Sequence, residues 1–241
     1  MVSSSGAEFV TSFGDSIVAR IEEELGATQT NDFPELRDIK NLAGESTGFV
    51  RVYRADKLAK ATYLSINVAP GARYFNIQVT PEAVYDAPRF SMEGMVTVHG
   101  SQVSMDMFPD VDMFMDVRHM LEQMKGVNEV YEAAKQTDID FRPSRLPHMR
   151  VFCSPFFLNV FKASAEQLLE IDALAHRYFD EWKKILADAT ETDSTAADER
   201  RKRRRHMSDM VMELDPDREM IVQVYGEDIT SAIERAVMYY D

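Results

Sequence analysis

The feature that most constrains the fold is a series of short β-strand patterns between residues 49 and 108. Segments rich in β-forming residues, several of them with alternating apolar and polar side chains, lie at 49–53, 63–68, 74–79, 90–98 and 102–108. Pro70-Gly71 and His99-Gly100-Ser101 supply turn signals between them. Consecutive strands this close in the chain favour an antiparallel sheet over βαβ units.

Helical patterns account for most of the remaining chain. Helical spacing or helix-forming composition predicts helices at 8–25, 117–135, 165–189, 196–214 and 228–240. The polar stretch 27–48 is typical of a loop. We expect a single domain over residues 1–241, with an N-terminal helix and loop at 1–48, a sheet at 49–108 and a mainly helical half at 109–241. The predicted fold class is α+β, an antiparallel sheet covered by helices.

The charge balance argues against general nucleic-acid binding. The chain has 27 Lys and Arg against 41 Asp and Glu, a formal net charge of −14. An acidic protein of this kind repels phosphate backbones. The local exception is a run of six consecutive cations: Arg200, Arg201, Lys202, Arg203, Arg204 and Arg205.

Common catalytic and cofactor motifs are absent. Cys153 is the only cysteine, which excludes an internal disulfide and a cysteine-based metal cluster and favours a reducing compartment. The sequence has no glycine-rich nucleotide loop, no H-E-x-x-H and no G-x-S-x-G. No stretch reaches the ~20 apolar residues of a membrane span. Rossmann, zinc-enzyme and serine-hydrolase functions therefore have little support.

Three separated segments carry motifs that are more specific when taken together. Residues 75–93 read FNIQVTPEAVYDAPRFSME, a strand, a Tyr-Asp-x-Pro-x-Phe turn and a strand with an acidic residue, and 105–109 read MDMFP. Residues 152–158 read FCSPFFL. Residues 215–220 read DPDREM, followed by YGE at 225–227. In this order, across residues 53–239, the chain resembles the ferredoxin-dependent bilin reductase family.

The resemblance implies an α/β/α sandwich with a linear tetrapyrrole between the sheet and the C-terminal helices. Family members usually carry Asp where this chain has Glu93, and Glu at this position is closer to the related red chlorophyll catabolite reductases. Position 76 is Asn, as in members similar to phycoerythrobilin and phytochromobilin synthases.

The resemblance also implies how the reaction proceeds. Reduced ferredoxin supplies single electrons, and the bilin holds them in its own conjugated system, so no bound flavin, nicotinamide or metal is expected. The protein then has to supply protons. Glu93 has mostly apolar neighbours on its strand, and desolvation there should raise its pKa, as a proton donor requires. Asp215, before Pro216, matches the family's second catalytic acid and is expected to donate from the opposite face of the bilin.

Five more residues are expected to line the substrate site: Asn76, Met95, Asp106, Ser154 and Phe157. Asn76 can hydrogen-bond a pyrrole or lactam edge without titrating. Structural alternatives remain for these positions. Asn76 and Asp106 could face solvent, and Ser154 and Phe157 could belong to a turn and the core.

The run of cations at 200–205 has two interpretations. It could form a helix whose solvated cations pair with acids such as Glu199, Asp209 and Glu213. Alternatively, it could be a docking patch for an acidic ferredoxin, because opposite charge raises the encounter rate.

The leading hypothesis is an oxidoreductase that reduces biliverdin or dihydrobiliverdin with ferredoxin, in a bacterial cytoplasm or a plastid stroma. The alternatives are a reductase of red chlorophyll catabolite and a non-catalytic tetrapyrrole carrier.

Overall fold

An eight-stranded antiparallel sheet lies at the centre of the protein. A computed structural model describes residues 9, 12–97 and 99–239. The sheet order is β1-β3-β4-β5-β6-β7-β8, and β2 pairs with β3. The strands are β1 (Thr28–Gln29), β2 (Ile39–Lys40), β3 (Ser46–Ala55), β4 (Leu58–Ala69), β5 (Ala72–Pro81), β6 (Arg89–Thr97), β7 (Ser101–Phe108) and β8 (Leu158–Ala163).

Helices lie on both faces of this sheet. In the described part of the chain they are α1 (Asp15–Glu24), α2 (Val117–Gln123), α3 (Lys125–Ala134), α4 (Met149–Phe152), α5 (Ala165–Asp188), α6 (Ser194–Glu213), α7 (Arg218–Tyr225) and α8 (Glu227–Met238). A short 3-10 helix, Pro34–Leu36, lies before β2. Ser164 and Gln167 form a capping box at the start of α5, and the Asp193 carboxylate accepts from Ala196 N at the start of α6.

One face of the sheet is apolar and carries the main core. Alternate residues of each strand point to this face. Phe75, Phe90 and Met92 are fully buried there together with Phe179 and Trp182 of α5. The Trp182 indole N–H donates to Pro88 O at 2.8 Å, so this large side chain is buried with its polar atom satisfied.

The opposite face divides into an apolar half and a polar half. On β3 and β4 it is apolar, and Val50, Val52 and Leu64 form a second core with Ala232 and Ala236 of α8. Farther along, on β5, β6 and β7, the same face carries buried or half-buried polar side chains: Asn76, Gln78, Ser91, Glu93, Ser104 and Asp106. Polar groups at this density beneath a helical layer mark the place where function is expected.

The structure confirms the α+β fold class, an α/β/α sandwich with a central antiparallel sheet. The predicted strands at 49–53, 63–68, 74–79 and 102–108 lie within β3, β4, β5 and β7. Residue 98 of the strand predicted at 90–98, residues 8, 10 and 11 of the helix predicted at 8–25 and residue 240 of the last predicted helix lie outside the described residues.

Two local predictions were wrong, and one strand was not predicted. The helix predicted at 117–135 breaks at Met124, where φ is −95° and ψ is 19°. After the break, α3 packs against α5, and the Glu181 carboxylate of α5 lies over Gly126. The stretch 27–48 contains two short strands and a 3-10 helix, and residues 158–163 form β8. Short edge strands are defined by their pairing with neighbours, which a local pattern does not reveal.

Candidate active site

Glu93 lies at the centre of the polar half of the sheet. The antiparallel register places it between Asn76 of β5 and Ser104 of β7. Asn76 Nδ2 donates to Glu93 Oε2 at 3.1 Å, Tyr74 Oη donates to the same oxygen at 3.3 Å, and Ser104 Oγ donates to Oε1 at 3.3 Å. Three donors from two neighbouring strands therefore fix the orientation of this half-buried carboxyl group.

The surroundings of Glu93 favour its protonated form. Burial raises the pKa of the Glu93 carboxyl, and the negative charge of Asp215 raises it further, although the hydrogen bonds from Asn76, Tyr74 and Ser104 act in the opposite direction. Burial also raises the pKa of Tyr74 well above its usual value, with added contributions from Glu93 and Asp215. Glu93 therefore keeps its proton to a higher pH than an exposed Glu, as the sequence predicted.

Asp215 reaches this site from the turn that follows α6. Pro216 prevents the helix from continuing, and Asp215 Oδ1 accepts a hydrogen bond from Asp217 N at 2.9 Å, which fixes the turn. The half-buried Asp215 acts electrostatically on both Glu93 and Tyr74. The structure thus brings together the two acids that the sequence nominated, one on the sheet and one on the helical layer.

Asn76 carries an unsatisfied polar atom at the site. The side chain is 5% exposed and its amide nitrogen bonds Glu93, but its Oδ1 has no hydrogen-bond partner among the described residues. Thr62 Oγ1 and Thr80 Oγ1, on the same face, are also buried without a partner in the described chain. Because an unpaired buried acceptor is costly, Asn76 Oδ1 is suited to a ligand N–H group.

Asp106 is a second buried carboxylate on the same face, two strand positions from Ser104. It is 1% exposed, which excludes the solvent-facing alternative. Its Oδ2 accepts from Ser154 N at 2.8 Å and its Oδ1 from Ser154 Oγ at 2.5 Å. Burial nevertheless raises the pKa of Asp106 to about 6. Burial raises the pKa of the Cys153 thiol, and the negative charges of Asp106 and Glu93 raise it further.

Replacing Asp106 by Asn is expected to change how stability depends on pH. The pKa of the Asp106 carboxyl is about 6 in the folded protein and about 4 in an unfolded chain, so stability is lost as the pH rises from about 4 to about 6. This loss disappears as the pH falls below the unfolded value, and the shift corresponds to about 3 kcal/mol at neutral pH. We expect the free energy of unfolding of Asp106→Asn, relative to the original protein, to be higher at about pH 7 than at about pH 4 by up to that amount. Urea unfolding at the two pH values measures this difference.

The exposed Asp138→Asn variant serves as the control for loss of one surface carboxylate. The prediction would be contradicted if the free energies of unfolding of Asp106→Asn and the original protein differed by the same amount at both pH values.

Met95 and Phe157 lie at the borders of the site. Met95 is half-buried on β6, directly opposite Tyr74 and on the same face as Glu93. Phe157 is half-buried in a small cluster with Phe108, Cys153 and Met207, which joins the sheet to α6. Ser154 bonds Asp106 through both its backbone and its hydroxyl group, so its position depends on that carboxylate.

Three neighbours of the acids were not predicted from the sequence: Tyr74, Ser104 and Cys153. Tyr74 precedes Asn76 by two residues and so shares its face, a signal that strand alternation alone supplies. Ser104 could be found only from the exact register of the β6–β7 hairpin, and Cys153 only from the fold.

The run of cations at 200–205 is only partly exposed, which corrects its prediction as a single docking patch. Arg200 and Arg204 are 5% and 3% exposed, so they cannot contact a partner. Arg204 Nε lies 2.7 Å from Asp110 Oδ2, and Arg89 Nε lies 2.9 Å from Asp110 Oδ1. At the surface, Arg201, Lys202 and Arg205 pair with Asp198, Glu199 and Asp209.

The described ranges contain neither a metal-ligand cluster nor a membrane-spanning helix. No group of three or more His, Cys, Asp or Glu side chains there is arranged to hold a metal ion. No helix in that part of the chain is both long and apolar enough to cross a bilayer.

Comparison with known proteins connects this site to one family. No curated protein matches the chain. Among solved structures, the chain is similar to selenomethionine-labelled phytochromobilin synthase from tomato in complex with biliverdin, with a TM-score of 0.79 and 14% identity over 95% of this chain and 83% of that one. The model of the ferredoxin-dependent bilin reductases matches residues 14–239. The chain therefore belongs to the ferredoxin-dependent bilin reductase family.

Proposed function

We propose that the protein reduces a linear tetrapyrrole, biliverdin or dihydrobiliverdin, with electrons from ferredoxin. The observation that carries this proposal is the half-buried Glu93 beside the unpaired Asn76 Oδ1, with burial and the charge of Asp215 both raising the pKa of Glu93. The structurally similar tomato protein is in complex with biliverdin, which makes biliverdin the first substrate to test.

The reaction couples single electrons to protons from the two acids. Two reduced ferredoxins each give one electron, so each iron–sulfur cluster is oxidised as the bilin is reduced. Every added electron makes the bilin more basic, and a carboxylic acid held against it can protonate one chosen atom. Glu93 gives one proton and Asp215 the other, and both are restored from solvent after each cycle. The bilin carries the unpaired electron between the two steps.

Asn76 and its neighbours position the substrate. The free Oδ1 of Asn76 accepts a pyrrole or lactam N–H group, while its amide nitrogen stays on Glu93. Met95 and Phe157 supply the polarisable, apolar walls that suit a flat conjugated ligand. Asp106 on β7, together with Ser154 that bonds it, forms the polar border of the site.

An anaerobic absorption time course tests this function. Biliverdin is bound to the protein and reduced ferredoxin is supplied catalytically. We expect the absorption to shift to the blue with transient radical bands. Binding without any shift would direct the test to dihydrobiliverdin and then to red chlorophyll catabolite, which the Glu at position 93 favours as the second candidate. If the protein binds but reduces none of these three pigments, the proposal is contradicted and the non-catalytic tetrapyrrole carrier is the remaining hypothesis.

Replacing Asp215 by Asn should slow complete reduction by about a hundredfold and leave the one-electron intermediate longer-lived. Asn keeps the acceptor for Asp217 N, so the turn should remain folded. Because Asp215 is half-buried, water can partly replace it as a proton source, which limits the effect. The measurement is the decay rate of the radical bands after a single electron is delivered.

Asp217→Asn, an exposed change in the same turn, is the matched control and should reduce bilin at the original rate. Equal decay rates in Asp215→Asn and Asp217→Asn would remove Asp215 from the mechanism.

A further inference from the structure

Residues 141–162 are unusual in this acidic chain. They contain Arg142, Arg145, Arg150 and Lys162 and no Asp or Glu, although acids outnumber cations by 41 to 27 over the whole sequence. A stretch of one sign within a molecule of the opposite sign creates a local field that attracts an acidic partner.

Arg142, Arg145 and Lys162 lie along the β8 edge of the sheet, and Arg150 lies on α4. Arg142 N donates to Asn159 O at 2.7 Å, and Asn159 Nδ2 donates back to Arg142 O at 3.0 Å, so the segment before α4 runs beside β8. The Arg145 guanidinium lies 4.3 Å from the centroid of the Phe161 ring, a cation–π contact that holds it against the strand. Lys162 follows Phe161 on the same strand.

Three of the four cations are available to a partner. Arg142 pairs with Asp140. Arg145, Arg150 and Lys162 are exposed, and none of them forms an ion pair with a carboxylate in the described part of the protein. The run at 200–205 differs, because two of its arginines are buried and three other cations are paired with acids. Uncompensated charge is what steers a protein partner.

The β8 edge is also close to the site. Glu93 pairs with Ser104, and Ser104 pairs with Asn159 of β8. Two strand spacings separate the backbones of Glu93 and Asn159, which is about 10 Å. Arg150 is connected to the site through the chain. It lies on α4, which is followed directly by Cys153 and Ser154, and Ser154 N donates to Asp106.

We infer that Arg145, Arg150 and Lys162, here termed the β8-edge patch, form the surface on which ferredoxin docks. This inference rests on the proposed function and names the partner surface of that same site. The acidic face of a reduced iron–sulfur protein approaches the three cations and delivers one electron per encounter to the bilin near Glu93. The cluster is oxidised by one electron and the bilin is reduced by one.

Two triple variants with equal loss of charge test the inference. The first is Arg145→Ala/Arg150→Ala/Lys162→Ala, and the control is Arg201→Ala/Lys202→Ala/Arg203→Ala. With saturating biliverdin at low salt, the KM for a reduced [2Fe–2S] ferredoxin should rise about tenfold or more in the first variant, with kcat changed less than about twofold. Its rate should also depend less on salt, because screening has fewer charges to act on. The control should change KM less than about twofold.

Two further measurements separate docking from folding and from chemistry. Arg145→Lys/Arg150→Lys keeps the charge and should retain the original KM. Reduction of biliverdin by dithionite-reduced methyl viologen, a small donor that needs no docking surface, should proceed at the original rate in the β8-edge variant. An equal KM in the two triple variants, or a larger rise in the Arg201 set, would overturn the inference.

Titration of ferredoxin onto the protein decides the docking site even without turnover. If the original protein reduces no tetrapyrrole with either donor, the proposed function fails. Ferredoxin affinity lost in the β8-edge variant and kept in the control would then still support the docking surface. Equal affinity in both would overturn it.

Discussion

Replacing Glu93 by Gln is expected to lower the rate of bilin reduction by about a thousandfold while leaving the pigment bound. Gln has the same shape but carries no acidic proton. Its carbonyl oxygen can accept from Asn76 and Tyr74, and its amide group can donate to the Ser104 hydroxyl, so the hydrogen bonds now made by Glu93 have replacements. No other carboxyl group lies between Asn76 and Ser104 in the register of the sheet. Single-turnover absorption spectroscopy under anaerobic conditions measures the loss.

The pH profile distinguishes loss of a proton donor from loss of shape. Because the pKa of Glu93 is raised, the original protein should hold its donor proton into a higher pH range and slow as the pH rises through that value. The residual rate of Glu93→Gln should lack this decline. Glu129→Gln, an exposed change on α3, is the control and should behave as the original protein. A Glu93→Gln variant with the original rate and profile would exclude Glu93 as a donor.

Replacing Asp110 by Asn is expected to lower the free energy of unfolding by about 3–5 kcal/mol. Asp110 is 5% exposed and pairs with both Arg89 and Arg204, which are themselves buried. An amide cannot compensate two buried guanidinium charges, and both arginines are only 3% exposed. The expected fall in Tm is about 10 °C, measured by thermal unfolding.

Asp198→Asn removes a carboxylate from the exposed pair with Arg201 and should cost less than about 1 kcal/mol. If Asp110→Asn cost no more than this control, the buried arginines would be compensated by groups other than Asp110.

The sheet was predictable because its strands follow one another with clear alternation. Asn76 and Glu93 lie directly opposite each other in the structure, as a β5–β6 pair in this register requires. By contrast, β8 joins the sheet edge across a long stretch of helix and loop, and its polar Asn159 gives no local signal. The break at Met124 was equally hidden, because helical spacing and helix-forming residues continue across it.

Candidate site residues could be predicted where they lie within a motif that resembles the family. Glu93 and Asp215 came from the resemblance, and only the fold brings the turn after α6 to the strand. The run at 200–205 does not reveal which of its side chains are exposed. Arg200 and Arg204 are one helical turn apart and so lie on the same side of α6, and that side is buried against the sheet. The six cations are consecutive in sequence, but helical geometry places some of them in the interior and the others at the surface.

The division of the sheet into two faces has a consequence for how this protein can diversify. The apolar face, with Phe75, Phe90 and Trp182, forms its core without any contribution from the side chains around Glu93. Substitutions at Asn76 or Ser104 project away from that core, so under the proposed function they can alter the choice of pigment at little cost to folding. A lineage could therefore exchange one tetrapyrrole for another by a few changes on β5, β6 and β7 while the opposite layer stays as it is.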